Sequence, residues 1–254
     1  MDDCLNQEIR SIPKIHRGVF YQDFMKELSA KRETKLYLEV GVRFGEVFSL
    51  ITADVAIGVD PDFQLSSNIV ARKRKSILFP TTSDAFFARP NLVDEIGGRP
   101  DLIFLDGMHL FEFLLRDFYN AESISAKNGL IIMHDCLPLN SAMAERDMAK
   151  SVELGIDSEH PGYWTGDVWK VISILQTYRP DLKIYYINCP PTGLVCVTNL
   201  DPTNTVLKEK YLDIASEFIS LPNDTRNIEN LYGNISITDS AAVLNGFDHS
   251  IYFR

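Results

Sequence analysis

The chain is poor in several features, and each shortage removes a class of protein. No apolar stretch reaches the ~18–20 residues that cross a bilayer, so no membrane partner is expected. There are only four cysteines, Cys4, Cys136, Cys189 and Cys196, with neither a C-x-x-C pair nor a disulfide-rich spacing. That usage points to a reducing, cytoplasmic compartment. No basic run is longer than Arg72-Lys73-Arg74-Lys75, and the formal net charge is −10. A nucleic-acid backbone needs a broad positive face, so no nucleic-acid partner is expected. The basic quartet itself reads as a solvated helix end or loop rather than a phosphate site. Internal repeats and low-complexity linkers are missing, and the opening MDDCLNQEIR is too acidic and polar for a signal peptide.

What remains is ordinary globular material: 254 residues, 45% hydrophobic and 24% charged. That length buries one large core, or one domain with appendages. The organising stretch is Leu36–Val47, LYLEVGVRFGEV. Leu36, Tyr37, Leu38 and Val40 form a short apolar run that reads as a buried parallel strand. It ends on Glu39-Val40-Gly41, and Gly45 follows just before a second apolar run. Gly41 lets the backbone turn sharply and leaves bare main chain for a ligand. Gly45 permits close packing where a helix starts, and the free N–H groups of a helix start favour a carboxylate or phosphate. The dinucleotide fingerprint G-x-G-x-x-G is absent here, because its first glycine is Glu39, which argues against an NAD oxidoreductase.

Before that strand, Val19, Phe20, Phe24, Met25 and Leu28 recur at helical spacing and predict one or two short helices over residues 1–34. These would cap the sheet or cover a ligand. After it, a helix is predicted over 45–53, then a strand Ala56–Val59 ending in Asp60. An acid at the end of strand two accepts hydrogen bonds from both hydroxyls of a ribose; it also serves simply to cap a Pro61-Asp62 turn. Ser76–Phe79 reads as strand three, followed by Ser83 and Asp84, which either meet an adenine amino edge or cap the next helix. Strand four is Asp101–Asp106, a helix spans about 111–125, and strand five is Leu130–Met133, leading into His134-Asp135-Cys136. A loop is expected over 139–162, a helix over 166–177, and two strands at 183–187 and 193–198. Beyond residue 200 only Tyr211–Ile219 has a helical pattern; the rest reads as loops or an oligomer arm.

Strand-helix alternation of this kind predicts an α/β fold with a Rossmann-like doubly wound sheet of about seven strands. Ligands on such sheets gather at the carboxyl ends of the strands. Glu39, Asp60, Asp84, Asp106 and Asp135 all fall there, and a merely structural sheet has no need of an acidic rim. Asp106-Gly107-Met108-His109 and His134-Asp135 stand at the mouths of two strands expected to be neighbours. Asp106, His134 and Asp135 offer oxygen and nitrogen ligands to one cation. His109, on the turn into the next helix, is placed to act as a base beside it. Tyr163 and Trp164 stand before Gly166-Asp167. Either Asp167 marks a helix start, favoured by the dipole, with Trp164 and Trp169 packed into the core, or Tyr163 and Trp164 form a wall of an acceptor pocket.

The motif Glu39-x-Gly41-x-x-x-Gly45 resembles the first motif of the class I S-adenosylmethionine-dependent methyltransferases. The closing antiparallel hairpin after strand five is likewise a feature of that fold. The combination D-G-x-H at 106–109, Arg116-Asp117, G-L-I-I-M-H-D at 129–135 and Gly166–Lys170 resembles the D-G-x-H small-molecule O-methyltransferases. That group includes macrolide-sugar enzymes and is distantly related to the catechol type. The resemblance covers residues 35–200 and divides the chain into a helical cap (1–34), a methyltransferase domain (35–200) and a C-terminal extension (201–254). It implies a cytoplasmic enzyme using S-adenosyl-L-methionine to methylate a hydroxyl of a small-molecule acceptor, a sugar or secondary metabolite. Glu39, Gly41, Gly45, Asp60, Ser83, Asp84 and Asp106 would bind the cofactor, and His109 and Asp106 would be catalytic. In metal-dependent sugar enzymes the counterpart of Asp106 binds Mg2+ together with two adjacent acids after strand five. Here the first of those acids is His134, a change that favours Mn2+, iron or zinc over Mg2+. Two alternatives stay open: a metal-independent methyltransferase with His109 as its sole base, and a non-catalytic S-adenosylmethionine- or nucleotide-binding module. A homo-oligomer is compatible with the unpatterned ends.

Overall fold

The computed structural model describes residues 11–246, 248 and 249. Cys4 and the acidic N-terminal ten residues lie outside the described residues, as do the last five positions of the expected C-terminal extension. The chain opens with helix α1 (Tyr21–Lys31), which buries Phe24, Met25 and Leu28 at i, i+1 and i+4. Strand β1 (Leu36–Val40) follows, buried at all five positions. Its side chains alternate: Leu36, Leu38 and Val40 enter the core on one face and Tyr37 the core on the other. Helix α2 (Glu46–Leu50), strands β2 (Ala53–Val59) and β3 (Lys73–Phe79), and short helices α3 (Ser83–Phe87) and α4 (Leu92–Glu95) complete the first half.

The second half starts with β4 (Leu102–Leu105) and the long helix α5 (Phe111–Ile124). In α5 the buried residues Phe111, Leu114, Leu115, Phe118 and Ala121 fall on one stripe, which packs on the sheet. Then come β5 (Leu130–His134), α6 (Met148–Gly155), α7 (Lys170–Tyr178), β6 (Lys183–Ile187) and β7 (Leu194–Thr198). Helices α8 (Val206–Glu209), α9 (Tyr211–Ile219) and α10 (Thr225–Gly233) precede the two-residue strand β8 (Ile237–Thr238), and α11 (Ser240–Gly246) ends the described chain.

The strands form one eight-stranded sheet in the order β3-β2-β1-β4-β5-β7-β6-β8. Strands β1 to β5 run parallel, and β7 enters antiparallel between β5 and β6. That is the doubly wound sheet with a closing antiparallel hairpin that the sequence predicts, enlarged by β8 at its edge. The strand order reverses between β1 and β4, the place where such sheets leave a crevice at their carboxyl ends. No helix among the described residues is long and apolar enough to cross a membrane.

Four local readings are corrected. The basic quartet is not a helix end or loop: Lys73, Arg74 and Lys75 open β3, the edge strand of the sheet. Edge strands tolerate lysine and arginine because one side stays in water, and the charges block pairing with another chain. Residues 148–155 are not loop but α6, whose first turn is capped by Asp147 accepting from the Lys150 N–H at 2.9 Å. Helix α7 starts at Lys170 rather than 166, because Gly166 takes φ +58 in a turn. The segment after 200 is mostly helical and packed: Leu207, Ile214, Phe218, Ile228 and Leu231 belong to the same buried cluster as the apolar stripe of α5.

Candidate active site

At the reversal point the main chain of β1 almost touches that of β4. A Cβ built on Gly41, whose φ is +90, would lie 1.9 Å from the Asp106 carbonyl oxygen. Only glycine allows this approach, and it brings the two strand ends together as one wall of a cavity of about 780 Å³. Such a volume is ample for a nucleoside-sized ligand. Glu39, Gly41, Asp60, Ser83, Asp84, Asp106, His109, His134 and Asp135 all line it. Gly45 does not: it sits at the N-cap of α2, where an added Cβ would press on Ile69 and Leu65.

One end of the cavity is built for hydrogen bonding. Asp60 accepts the Arg43 N–H at 2.8 Å and the Asp62 N–H at 2.7 Å, so it caps its own turn while lining the cavity. Arg43 holds φ +38, an uncommon conformation for a residue with a side chain, and among the described residues it is the one Lys or Arg lining the cavity. Neither Ser83 nor Asp84 caps α3; that role belongs to Thr82, whose hydroxyl accepts the Ala85 N–H. Both oxygens of Asp84 are engaged by Arg116, at 2.9 and 2.8 Å. Arg116 also donates to Tyr211 from the C-terminal segment at 2.6 Å. Glu39 is buried against the Tyr37 hydroxyl, which donates to it at 2.5 Å, and burial raises its carboxyl to about 8.

The other end gathers four titratable groups. His134 Nδ1 lies 3.3 Å from Asp106 Oδ1 and 3.2 Å from Asp135 Oδ2. His109 Nε2 lies 3.3 Å from Asp135 Oδ2 and 3.7 Å from Asp106 Oδ1. Asp135 takes φ +60, a left-handed conformation, and its other oxygen accepts the Thr192 hydroxyl at 2.6 Å. Strain of this kind persists where the surroundings over-determine it, and it clusters at functional sites. Burial works against every charge here, yet the mutual attraction wins: both aspartates stay below the ordinary carboxylate range and His134 is held well above the ordinary imidazole value. For His109, burial opposes the proton, but Asp135 and Asp106 raise the ring to about 9.

His134 is the exception to good pairing. It is 8% exposed, and neither of its ring nitrogens makes a hydrogen bond of acceptable geometry. The Tyr21 ring covers it at a centroid distance of 4.3 Å. Donor atoms of Asp106, His134 and Asp135 all lie within 4.8 Å of one another. Oxygen and imidazole-nitrogen donors at that spacing form a candidate cation site, the one the sequence singles out.

Most of the expected residues meet in one cavity, but several partners carry no local signal. Tyr21 arrives from the helical cap, Thr192 from the β6–β7 connection and Tyr211 from α9; nothing near them in sequence marks them. Trp164 and Tyr163, one reading of which made them a wall of the acceptor pocket, do not line the cavity. Trp164 instead stacks behind His109, with ring centroids 4.9 Å apart.

The strand order and the antiparallel β7 are those that the resemblance to class I methyltransferases implied for the fold. No family model matches the sequence, and no curated protein matches it. Among solved structures, the chain is similar to cofactor-bound Rv0187 from MTB, with a TM-score of 0.50, 14% identity, and coverage of 78% of this chain and 87% of that one. Lower similarities include the O-methyltransferase TomG from Streptomyces achromogenes in complex with SAM (TM-score 0.44, 14% identity, 70% and 78% covered). Another is the O-methyltransferase from Bacillus cereus in complex with SAH (TM-score 0.45, 13% identity, 73% and 83% covered). At such identities the likeness is one of fold.

Proposed function

We propose that this chain is an S-adenosylmethionine-dependent O-methyltransferase acting on a hydroxyl of a small molecule, a sugar or secondary metabolite, with help from a divalent cation. The observation that carries the reading is the cavity at the β1/β4 reversal. It joins a ribose-type acid and a bare glycine turn to two carboxylates and two imidazoles. Glu39, Gly41 and Asp60 hold the methionine and ribose ends of the cofactor, and Ser83 and Asp84 lie at the adenine end. Asp106 borders both halves.

S-adenosylmethionine supplies a methyl group on a positive sulfur, already activated for in-line displacement by an oxygen. The protein therefore has two tasks, alignment and removal of the hydroxyl proton. The acidic rim complements the positive sulfonium, and in this reading the acceptor hydroxyl lies beside His109. Nδ1 of His109 is bound to a carbonyl, so Nε2 is the nitrogen that takes the proton from the acceptor. Asp106, His134 and Asp135 would hold the cation, which lowers the pKa of a hydroxyl and neutralises the two carboxylates that otherwise keep His109 protonated. The nitrogen donor of His134, left without a hydrogen bond, suits Mn2+, iron or zinc better than Mg2+.

The test has two arms. Calorimetry with S-adenosylhomocysteine reports cofactor binding; no binding, or tighter binding of NAD, would sink the assignment. Methyl-labelled S-adenosylmethionine is then offered with a panel of sugars, polyols and catechols, in Mg2+, Mn2+ or chelator. Full turnover in chelator would remove the cation and leave His109 as the sole base. Binding without turnover on any acceptor would favour a non-catalytic module.

A further inference from the structure

The segment Trp164–Lys170 is left idle by the catalytic reading, and its contacts converge on His109. His109 Nδ1 lies 3.0 Å from the Trp164 carbonyl oxygen. A carbonyl only accepts, so Nδ1 carries the proton and Nε2 is the nitrogen turned to the carboxylates. The Trp164 indole lies nearly parallel to the imidazole, at 29° between planes, and its own N–H is fixed to the Glu145 carbonyl at 2.7 Å. The ring is thus held at one edge and on one face.

The backbone that carries His109 is tied to the same segment. A Cβ on Gly166, which has φ +58, would lie 1.7 Å from the His109 carbonyl oxygen, so this turn presses directly on the main chain of His109. One residue on, Asp167 is fully buried and accepts the Phe111 N–H, the first of α5, at 3.0 Å. A carboxylate imported from elsewhere in the chain thus caps the helix that begins two residues after His109, where negative charge is favoured. Asp167 also accepts from Arg146 at 2.5 Å and from Lys170 at 3.0 Å. Arg146 in turn grips Glu112 in the first turn of α5, at 2.6 and 3.1 Å. Loop, helix start and histidine form one block.

We propose that Trp164, Gly166 and Asp167 are positioning residues for His109: the Trp164 carbonyl and indole set the ring, and Gly166 and Asp167 set the turn that carries it. The proposal rests on His109 acting through Nε2 in the O-methyltransferase reading. Its test does not require turnover.

In the full-length protein, the ring protons of His109, assigned by their loss in His109→Gln, should be shifted upfield by the stacked indole. Trp164→Ala should return them to ordinary positions while S-adenosylhomocysteine affinity stays within about twofold, because no Trp164 atom lines the cavity. Trp164→Phe keeps an aromatic face and drops the bond to Glu145, so most of the upfield shift should survive. Asp167→Asn should split or broaden the His109 signals, again with cofactor affinity retained. Unmoved His109 signals in Trp164→Ala, or a tenfold fall in cofactor affinity, overturn the proposal: the first removes the ring contact, the second shows general disruption. If Trp164→Ala does not fold, loss of the upfield shift in Trp164→Phe overturns it as well. Wild-type protein that fails to bind S-adenosylhomocysteine defeats the methyltransferase reading, while the ring shifts still decide the positioning.

Discussion

His134 Nδ1 and Asp106 Oδ1 stand 3.3 Å apart at the ends of two adjacent parallel strands, β5 and β4. The pair exists because the register aligns Leu105 with Met133, so the next residue of each strand emerges at the same rim. Asp135 completes the group from a left-handed position, locked by Thr192. The two carboxylates hold the buried His134 imidazole in its charged form, and the same three side chains are the candidate cation donors.

Asp135→Asn should therefore weaken Mn2+ binding by on the order of tenfold or more, measured by calorimetry, because an amide oxygen is a poorer ligand than a carboxylate. S-adenosylhomocysteine affinity should stay nearly intact, and metal-stimulated turnover should vanish. Equal Mn2+ affinity in the variant would remove Asp135 from the site.

His109→Ala should lower turnover by roughly 10²–10⁴, the range for loss of a general base. Cofactor affinity should change little, since His109 addresses the acceptor. The measurement is initial rate at saturating S-adenosylmethionine. Retained activity would transfer the proton to another group and leave the base unassigned.

Asp60→Ala should weaken S-adenosylhomocysteine binding by ~1–3 kcal/mol, the usual loss for charge-assisted hydrogen bonds. Part of that loss comes from the turn, because Asp60 accepts the Arg43 and Asp62 N–H groups. Asp60→Asn, which keeps one acceptor oxygen, should fall between wild type and alanine. Unchanged affinity in both variants would take Asp60 out of the cofactor site.

Glu39 gives the pH dependence. Burial raises its carboxyl from the ordinary 4.5 to about 8, so the folded protein holds a proton that the unfolded chain releases. The unfolded state then binds fewer protons in that window, and stability falls as pH rises from about 4.5 through about 8. Glu39→Gln, neutral throughout, should lose this share of the fall, leaving the part due to buried Asp117, which burial raises to about 7 in both proteins. Denaturant unfolding of both proteins across the window checks it; parallel curves would mean that Glu39 is ionised in the fold.

The sequence by itself determined the alternation of elements and the acidic rim. Apolar runs such as Leu130–Met133 and the stripe of α5 are local patterns set by the period of a strand or helix, and both are found where the periodicity places them. Glu39, Asp60, Asp106 and Asp135 were legible because strand ends are readable and parallel sheets collect ligands there. The helix at Tyr211–Ile219 was legible for the same local reason. Tertiary structure alone decided which ends meet. Gly41 presses on Asp106, Tyr21 covers His134, Thr192 locks Asp135 and Trp164 backs His109, all across long stretches of chain. It also decided that Lys73–Lys75 form an edge strand and that Asp167 caps a helix other than its own. These contacts depend on strand order and packing, which no local period encodes.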